Sequence, residues 1–368
     1  MKIIIDNSNL FAGGGLQVAI SFLNDLFVLE LANEYHIIQS PNSSAQIDKK
    51  HFPANFKFYE LNSKEYLSIL KRKREVKKIE NTIKPDVIFT TFGPSYHKSN
   101  FPKVVGFAYG YILYRDSIFY KILSIKERVK HQLINTLKTY LFKKNSDSLI
   151  FETEDAAKRF FVSQKIKKYV VSNTLNSIFD NRKRWQELEF FQKTELDILC
   201  LSANYPHKNL DIIPSVIDEM LKINSNLYFK FHISASKKDF NFDEKYNMYI
   251  NYLGKVELVN LPSLYTKMNI LFMPTLLEIF STTYLEAMFM KVPMVCSDMS
   301  FARDICGDAA LYCSALNPKE YATAVIKIHC NKELNESLIT KGTENLKRFG
   351  TSMDRTKKYL EILKKHAQ

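Results

Sequence analysis

The chain has 368 residues, which is enough for two domains that each bury a hydrophobic core. Apolar residues make up 46% of it, with 27 Phe and 20 Tyr, so the composition is that of a globular protein and excludes a disordered one. The formal net charge of +13 favours acidic partners, either phosphorylated substrates or an anionic membrane surface, and the sequence contains no motif of a nucleic-acid-binding module.

The sequence predicts a cytoplasmic protein. No apolar run approaches the ~18 residues that span a bilayer, and the N-terminus has no apolar signal core. The five cysteines form no C-x-x-C pair, as expected for reduced thiols. Peripheral attachment to the inner face of a membrane remains compatible with the positive charge.

The first half begins with a strand, a glycine turn and a helix. Residues 2–6 predict the strand, and a run of three glycines leads into a helical apolar pattern. A glycine turn before a helix can bring backbone close to an anionic ligand, so Gly14 and Gly15 are candidate contacts; a plain strand–helix turn is the alternative. Val18 stands where a dinucleotide fingerprint has its third glycine, which argues against an NAD enzyme.

Two basic segments follow in the first half. Residues 64–84 predict a basic helix whose charged side chains face solvent. Residues 117–144 predict a longer helix, flanked by Lys and Arg, with one apolar stripe: Ile118, Ile122, Ile125, Val129, Leu133, Leu137 and Tyr140. A helix that faces the core explains this stripe, and a helix that lies on anionic lipid is the alternative.

A second domain is predicted after a linker. Residues 181–194 are mostly polar and carry the single tryptophan, and strand–helix alternation restarts at Asp197. The strand at residues 197–201 is followed by Tyr-Pro-His-Lys-Asn at residues 205–209. Lys208 in this loop is either an ordinary helix-start lysine or a phosphate ligand.

Residues 269–298 predict a strand–loop–helix–strand unit. Residues 270–273 are a short apolar run, residues 284–289 show helical spacing, and residues 294–296 begin another strand. In parallel α/β sheets ligands bind at the carboxyl ends of such strands. The loop in this unit is therefore the main candidate site.

Two glutamates, Glu278 and Glu286, bracket that loop. Between these glutamates, at the predicted start of the helix, lie Phe280, Ser281, Thr282 and Thr283. Unpaired N–H groups at a helix start favour an anionic group, and flanking carboxylates bind hydroxyls, so the loop suits a sugar nucleotide. Two alternatives are that Glu286 only closes a capping box with Thr283 and that Glu278 is a solvated loop acid.

Glu278-x-Phe280-x-x-x-x-Leu285-Glu286-Ala287-Met288 resembles the E-x7-E element of retaining GT-B glycosyltransferases, most closely family 4, the bacterial polysaccharide or O-antigen type. The resemblance implies that Glu278 faces the donor sugar, that the loop amides hold the diphosphate and that Glu286 binds the ribose.

The resemblance extends to other loops of the second half. Lys208 matches the lysine that neutralises the donor diphosphate, whereas Ala203 stands where the family has an arginine, with Asn204 and His207 as candidate substitutes. Residues 252–256 are similar to the segment that presents backbone to the nucleotide base, which adds Val256 to the donor site.

The resemblance implies an α/β fold of the GT-B type, with two Rossmann-like doubly wound domains that face a central cleft. The expected N-terminal acceptor domain is residues 1–178 and the expected C-terminal donor domain is residues 195–349. The last helix, at about 350–368, is expected to pack back on the first domain.

The implied enzyme is a retaining, metal-independent hexosyltransferase with Lys208 and Glu278 as catalytic residues. Its donor would be a UDP-, GDP- or dTDP-linked sugar, used as substrate and not as cofactor, and its acceptor a saccharide or lipid-linked saccharide in surface polysaccharide synthesis. No D-x-D pair occurs, so no metal site is predicted.

Two other functions remain compatible with these residues. One is a GT-B sugar-nucleotide epimerase, which would convert its donor without an acceptor. The other is a non-catalytic nucleotide-binding partner in a polysaccharide-assembly complex, which Ala203 in the arginine position keeps open.

Overall fold

The computed structural model describes residues 1–11, 13–188 and 193–367. The predicted linker at residues 181–194 lies partly outside the described residues, as does the last residue of the predicted C-terminal helix. The chain divides into two compact units. The first unit comprises Met1–Arg115, Ser124–Asn173 and Thr351–Gln368, and the second comprises Asp116–Leu123 and Thr174–Gly350.

The strands of the described residues alternate with helices along the chain. In chain order the strands are β1 (Lys2–Asn7), β2 (Glu34–Gln39), β3 (Phe56–Glu60), β4 (Val87–Thr90), β5 (Lys103–Phe107), β6 (Ser148–Phe151), β7 (Lys167–Val170), β8 (Leu196–Cys200), β9 (Phe229–Ile233), β10 (Ile250–Tyr252), β11 (Ile270–Met273), β12 (Met294–Ser297) and β13 (Ala310–Cys313).

The helices of the described residues connect these strands. In chain order they are α1 (Gly14–Val28), α2 (Pro41–Ser44), α3 (Ser63–Leu67), α4 (Ile69–Ile83), α5 (Gly110–Leu113), α6 (Phe119–Ile122), α7 (Ile125–Asn145), α8 (Glu154–Arg159), α9 (Ile213–Ile223), α10 (Leu261–Tyr265), α11 (Thr282–Phe289), α12 (Ser300–Cys306), α13 (Pro318–Cys330), α14 (Lys332–Leu346) and α15 (Ser352–His366).

Each unit is built on one parallel sheet. The first unit has the strand order β3-β2-β1-β4-β5-β6-β7 and the second has β10-β9-β8-β11-β12-β13. In a doubly wound sheet the ligand crevice lies outside the carboxyl ends of the strands where the strand order reverses. That position falls between β1 and β4 in the first unit and between β8 and β11 in the second.

Helices cover both faces of these sheets. Because both faces are buried, the side chains on both faces of the strands are mostly apolar. Ile3, Ile4 and Ile5 are successive residues of β1, and all three are fully buried. Continuous burial of this kind is typical of parallel sheets and explains why the sequence shows short apolar runs without alternation.

The C-terminal helix α15 completes the core of the first unit. The Tyr359 ring packs against the rings of Phe22 and Phe89, with centroid distances of 5.5 and 5.1 Å. The Arg355 guanidinium donates to Asn173 Oδ1 over 2.6 Å, and Thr356 Oγ1 donates to Asp25 Oδ2 over 2.8 Å.

Both predicted basic helices are interrupted. Residues 64–84 form α3 and α4, because the Ser68 side chain caps the start of α4. Residues 117–144 form α6 and α7, because Ser124 and Glu127 make a capping box that starts α7. The continuous helix predicted over residues 117–144 was therefore wrong. The Ser-x-x-Glu spacing that starts α7 is present in the sequence and could have indicated the break.

The apolar stripe of α7 does not face the core. The buried residues of α7 are Asn135, Phe142 and Asn145. The residues of the stripe lie on the opposite side of α7, and each is more than half exposed to solvent: Ile125, Val129, Leu133, Leu137 and Tyr140. The prediction of a core-facing stripe is therefore wrong. Among the described residues, no helix combines the length and the apolar composition that crossing a bilayer requires.

A buried charged cluster fixes the loop after β4. Lys103 Nζ lies 3.0 Å from Glu80 Oε1, and His97 Nε2 lies 2.8 Å from Glu80 Oε2, with all three side chains at most 5% exposed. Burial would raise the pKa of Glu80, but the hydrogen bond from His97 and the charge of Lys103 hold that pKa below its usual value.

We expect Lys103→Met to lower the free energy of unfolding by about 3 kcal/mol, because it leaves the buried Glu80 carboxylate without its lysine partner. The double substitution Lys103→Met with Glu80→Gln should cost less than the single one. Chemical denaturation followed by circular dichroism measures both. Lys98→Met, at an exposed lysine of the same region, is the matched control. An equal effect of Lys98→Met and Lys103→Met would contradict the stabilising role of this cluster.

Candidate functional site

Two loops of the second unit follow β8 and β11, the neighbouring strands at which the strand order reverses. The loop after β8 ends in a tight turn, Pro206–Lys208, and the loop after β11 runs from residue 274 to residue 281. The backbone N–H of Leu276 donates to the carbonyl of His207 over 2.8 Å, which ties the two loops together. This pairing brings Lys208 close to Glu278.

Lys208 and Glu278 form an ion pair between Nζ and Oε2. Their side chains are 14% and 22% exposed, so the pair lies in a partly dry environment that a ligand can still reach. The turn that presents Lys208 ends at Asn209, which has a left-handed φ of 55° and donates from Nδ2 to the Ala315 carbonyl over 3.0 Å. This anchor orients the lysine toward the loop after β11.

The loop that carries Glu278 is held by further side chains. Ser117 Oγ donates to the Leu276 carbonyl over 2.6 Å, and Ser297 Oγ donates to the Thr275 carbonyl. The Phe119 ring is buried and meets the His207 ring edge-on at 6.3 Å. Sequence reasoning missed Ser117 and Phe119 because it placed both in a helix of the first half.

The start of α11 lies at the end of the same loop. Ser281 is the residue before the helix, and its side chain makes no capping hydrogen bond. The helix therefore begins without a side-chain acceptor for the N–H groups of its first turn, which together with the helix dipole attract negative charge.

Glu286 points into the second unit and does not close a capping box. Its carboxylate accepts hydrogen bonds from Tyr265 Oη and from Thr282 Oγ1, both over 3.1 Å. Burial raises the pKa of Glu286 to about 7, against the opposing effect of these two hydrogen bonds. Tyr265, which fixes this carboxylate, was not predicted, since it lies on α10 before β11.

His207 and Asn204 do not replace the charge of the missing arginine. Burial, with the nearby charge of Lys208, lowers the pKa of His207 to about 4, so the imidazole is neutral at pH 7. Asn204 Nδ2 donates to the Asp239 carbonyl over 2.7 Å, which links the loops after β8 and β9. Ala203 itself is exposed.

The remaining predicted residues lie in three places. The half-buried Phe280 ring meets the Phe349 ring edge-on at 5.7 Å, and half-buried Val256 lies in the loop after β10. Gly14 and Gly15 form the first turn of α1 in the first unit. Contact of these four residues with a sugar-nucleotide donor stays a prediction, as does contact of Ser281, Thr282 and Thr283 with it.

Within residues 1–11, 13–188 and 193–367, no three or more His, Cys, Asp or Glu side chains come together in a way that could hold a metal ion.

Part of the second unit matches a known sequence family. Residues 195–331 match the family described as "Glycosyl transferases group 1". This segment contains Lys208, Glu278 and Glu286. No curated protein sequence matches the chain significantly.

Solved structures of similar fold cover nearly the whole chain. Sucrose-phosphate synthase from Thermosynechococcus elongatus has a TM-score of 0.72 at 14% identity, over 99% of this chain and 98% of its own. HepE from Anabaena in complex with UDP has a TM-score of 0.70 at 12% identity, over 99% and 100%. A mutant of S. aureus TarM in complex with Fondaparinux, alpha-GlcNAc-glycerol and UDP has a TM-score of 0.65 at 13% identity, over 98% and 99%.

These comparisons confirm the predicted fold class. The chain has two Rossmann-like parallel sheets and the GT-B fold.

Proposed function

We propose that this chain is a retaining glycosyltransferase that moves a hexose-type sugar from a nucleotide-diphosphate sugar to a saccharide or lipid-linked saccharide acceptor. The observation that carries the proposal is the Lys208–Glu278 ion pair beside the start of α11, at the reversal point of the second sheet. The family match of residues 195–331 and the UDP held by similar structures support a nucleotide sugar as donor.

Lys208 and the start of α11 suit the leaving diphosphate. Cleavage of the bond between the anomeric carbon and the diphosphate oxygen leaves an oxocarbenium-like sugar and adds negative charge to the diphosphate. An ammonium and the N–H groups of residues 280–283 would stabilise that charge more in the transition state than in the ground state. These groups supply the required positive potential without a metal.

Lys208 must exchange partners when the donor binds. Its Nζ would turn from Glu278 to the diphosphate, which frees the carboxylate to accept hydrogen bonds from donor-sugar hydroxyls. Glu286 would bind the ribose hydroxyls. The family resemblance implies front-face attack, in which the departing phosphate oxygen takes the proton of the acceptor hydroxyl, so the proposal needs no side-chain base.

The biological setting follows from the same resemblance. We place the reaction in the synthesis of a surface polysaccharide, on the cytoplasmic side where nucleotide sugars are made. The first unit, which includes the last helix α15, would bind the acceptor, and the second unit would bind the donor.

A panel of donors tests the proposal. Thermal-shift measurements with UDP, GDP and dTDP identify the base, and incubation with the corresponding sugar nucleotides and saccharide acceptors measures transfer and hydrolysis. We expect one nucleotide to stabilise the chain and its sugar conjugate to be consumed. Nucleotide binding without transfer or hydrolysis would favour the non-catalytic partner, for which the exposed Ala203 is the supporting observation.

Donor binding should weaken as the pH falls through about 7, the pKa of Glu286. Above this pH the Glu286 carboxylate is ionised and can accept hydrogen bonds from the two ribose hydroxyls of the donor. Below this pH protonation removes part of that accepting capacity. The dissociation constant of the nucleotide, measured from about pH 6 to about pH 8, gives the size of the effect on both sides of this transition.

Two variants separate Glu286 from other titrating groups. Glu286→Gln should flatten the pH dependence, and Glu286→Ala should weaken donor binding about 10- to 100-fold, because two hydrogen bonds to a charged group are lost. The turnover of the saturated enzyme should change little. An unchanged pH profile in Glu286→Gln would contradict the ribose assignment.

A further inference from the structure

Helix α7 presents an apolar face that the first unit does not use. The exposed fractions are 79% for Ile125, 54% for Val129, 68% for Leu133 and 58% for Leu137. These residues recur every four positions and so form one stripe along the helix. Contiguous exposed apolar surface of this kind is uncommon in a soluble protein unless it contacts a partner.

A second element of the first unit has the same character. Leu67 at the end of α3 and Leu70 at the start of α4 are 79% and 78% exposed. Ile69 lies between them and is half exposed. The connection between α3 and α4 is therefore another apolar projection.

Helices α4 and α7 cover the same face of the first sheet. Ile83 of α4 packs in one cluster with Ile88 of β4. Ile88 pairs in register with Lys103 of β5 and lies on the same face of the sheet. Phe107 also lies on this face, because alternate residues of a strand share a face. The Phe107 ring contacts the Phe142 ring of α7 at a centroid distance of 4.4 Å. Since each of these helices starts after a parallel strand, both projections lie toward the carboxyl edge of the sheet.

Both helices are rich in basic residues. Helix α7 carries one acid, Glu127, which is engaged in the capping box, and six basic residues: Lys126, Arg128, Lys130, Lys138, Lys143 and Lys144. The start of α4 carries four consecutive basic residues: Lys71, Arg72, Lys73 and Arg74. Lys138 is half-buried over the Tyr109 ring, whereas Lys126 and Lys130 are exposed and place positive charge beside the apolar stripe.

This charge selects the class of partner. Two copies of this face would bring two sets of cations together, and like charges in an interface oppose association. An anionic bilayer surface instead offers acyl chains to the stripe and negative headgroups to the lysines, the combination that interfacial amphipathic helices use.

We propose that α7, with the connection between α3 and α4, docks the first unit on the surface of an anionic membrane. The apolar stripe of Ile125, Val129, Leu133 and Leu137 enters the headgroup region, and the flanking lysines bind the lipid phosphates. This docking is independent of sugar transfer. If the proposed transfer also holds, it favours a lipid-linked acceptor.

Vesicle flotation with the full chain tests the proposal. We expect binding to equimolar phosphatidylcholine and phosphatidylglycerol vesicles, weak binding to phosphatidylcholine alone, and release at high salt, because screening shortens the Debye length to about 3 Å at 1 M. Lys126→Gln with Lys130→Gln should lower the partition coefficient more than tenfold, at about fivefold for each cation removed. Leu133→Gln with Leu137→Gln should lower it at least about tenfold.

Matched controls come from the second unit. Met248→Gln changes an apolar residue that is 64% exposed, and Lys222→Gln with Lys347→Gln removes two exposed lysines. Both should bind vesicles like the wild type, and all variants should keep the wild-type melting temperature. Equal binding to neutral and anionic vesicles, no binding to either, or wild-type binding by the stripe variants would overturn the proposal. Self-association that the Leu133→Gln/Leu137→Gln variant abolishes, without vesicle binding, would assign the face to a second copy.

Discussion

Replacement of Lys208 by alanine should lower the turnover number about 10³-fold, because it removes the ammonium that stabilises the departing diphosphate. Lys208→Arg should retain more activity, since the guanidinium keeps the charge in a different geometry. Initial rates of sugar transfer at saturating donor measure the effect. The ion pair is part-exposed, so the free energy of unfolding should change by no more than about 1 kcal/mol.

The control for Lys208 is Lys347→Ala. Lys347 forms an exposed ion pair with Glu344 on α14 of the same unit, at 2.8 Å. Loss of this surface pair should leave the rate unchanged. Wild-type turnover in Lys208→Ala would remove the lysine from the mechanism.

Glu278→Ala should also lower turnover by about two to three orders of magnitude, because the donor sugar loses the carboxylate that positions its hydroxyls. Its effect on nucleotide binding should differ from that of Lys208→Ala. Removal of Glu278 frees Lys208 from its ion pair, so the affinity for the nucleoside diphosphate should stay the same or rise. Calorimetric titration of the nucleotide beside transfer assays separates the two effects.

The comparison variant for Glu278 is Glu344→Ala, which breaks the exposed pair with Lys347. The double variant Lys208→Ala/Glu278→Ala should lose less than the product of the single losses, because the two residues act on one ligand. Strict additivity would contradict action on one shared ligand. A double variant no slower than Lys208→Ala alone, or a parallel loss of nucleotide affinity and turnover in Glu278→Ala, would argue that Glu278 only holds Lys208.

Local patterns predicted the centre of the second unit well. The apolar run at residues 270–273, the helical spacing of residues 284–289 and the strand start at residues 294–296 placed β11, α11 and β12 within a few residues of their observed bounds. Short continuous apolar strands separated by one helix give this signal because both sheet faces are buried. The fold class followed from the same pattern and from the resemblance.

Contacts between distant residues could not be predicted from the sequence. Lys208 and Glu278 are 70 residues apart, and their pairing depends on β8 and β11 being neighbours in the sheet. Ser117 and Leu276 are 159 residues apart, and nothing in the local pattern shows that residues 116–123 belong to the second unit.

Side-chain direction was also underdetermined. The periodicity of residues 125–140 is the same whether the stripe faces a core or water, and only the packed position of Phe142 decides which face is buried. The acid–base properties of Glu286 and His207 likewise depend on burial, which composition does not give.

The position of α15 in the first unit has a consequence for biosynthesis. The hydrophobic surface of Phe22 and Phe89 is covered by Tyr359. Tyr359 is synthesised about 190 residues after Val170, where β7, the last strand of its sheet, ends. All residues of the second unit, which ends at Gly350, are synthesised before Tyr359. We therefore expect the nascent chain to fold its later half first, and the earlier half to remain exposed to chaperones until α15 has emerged.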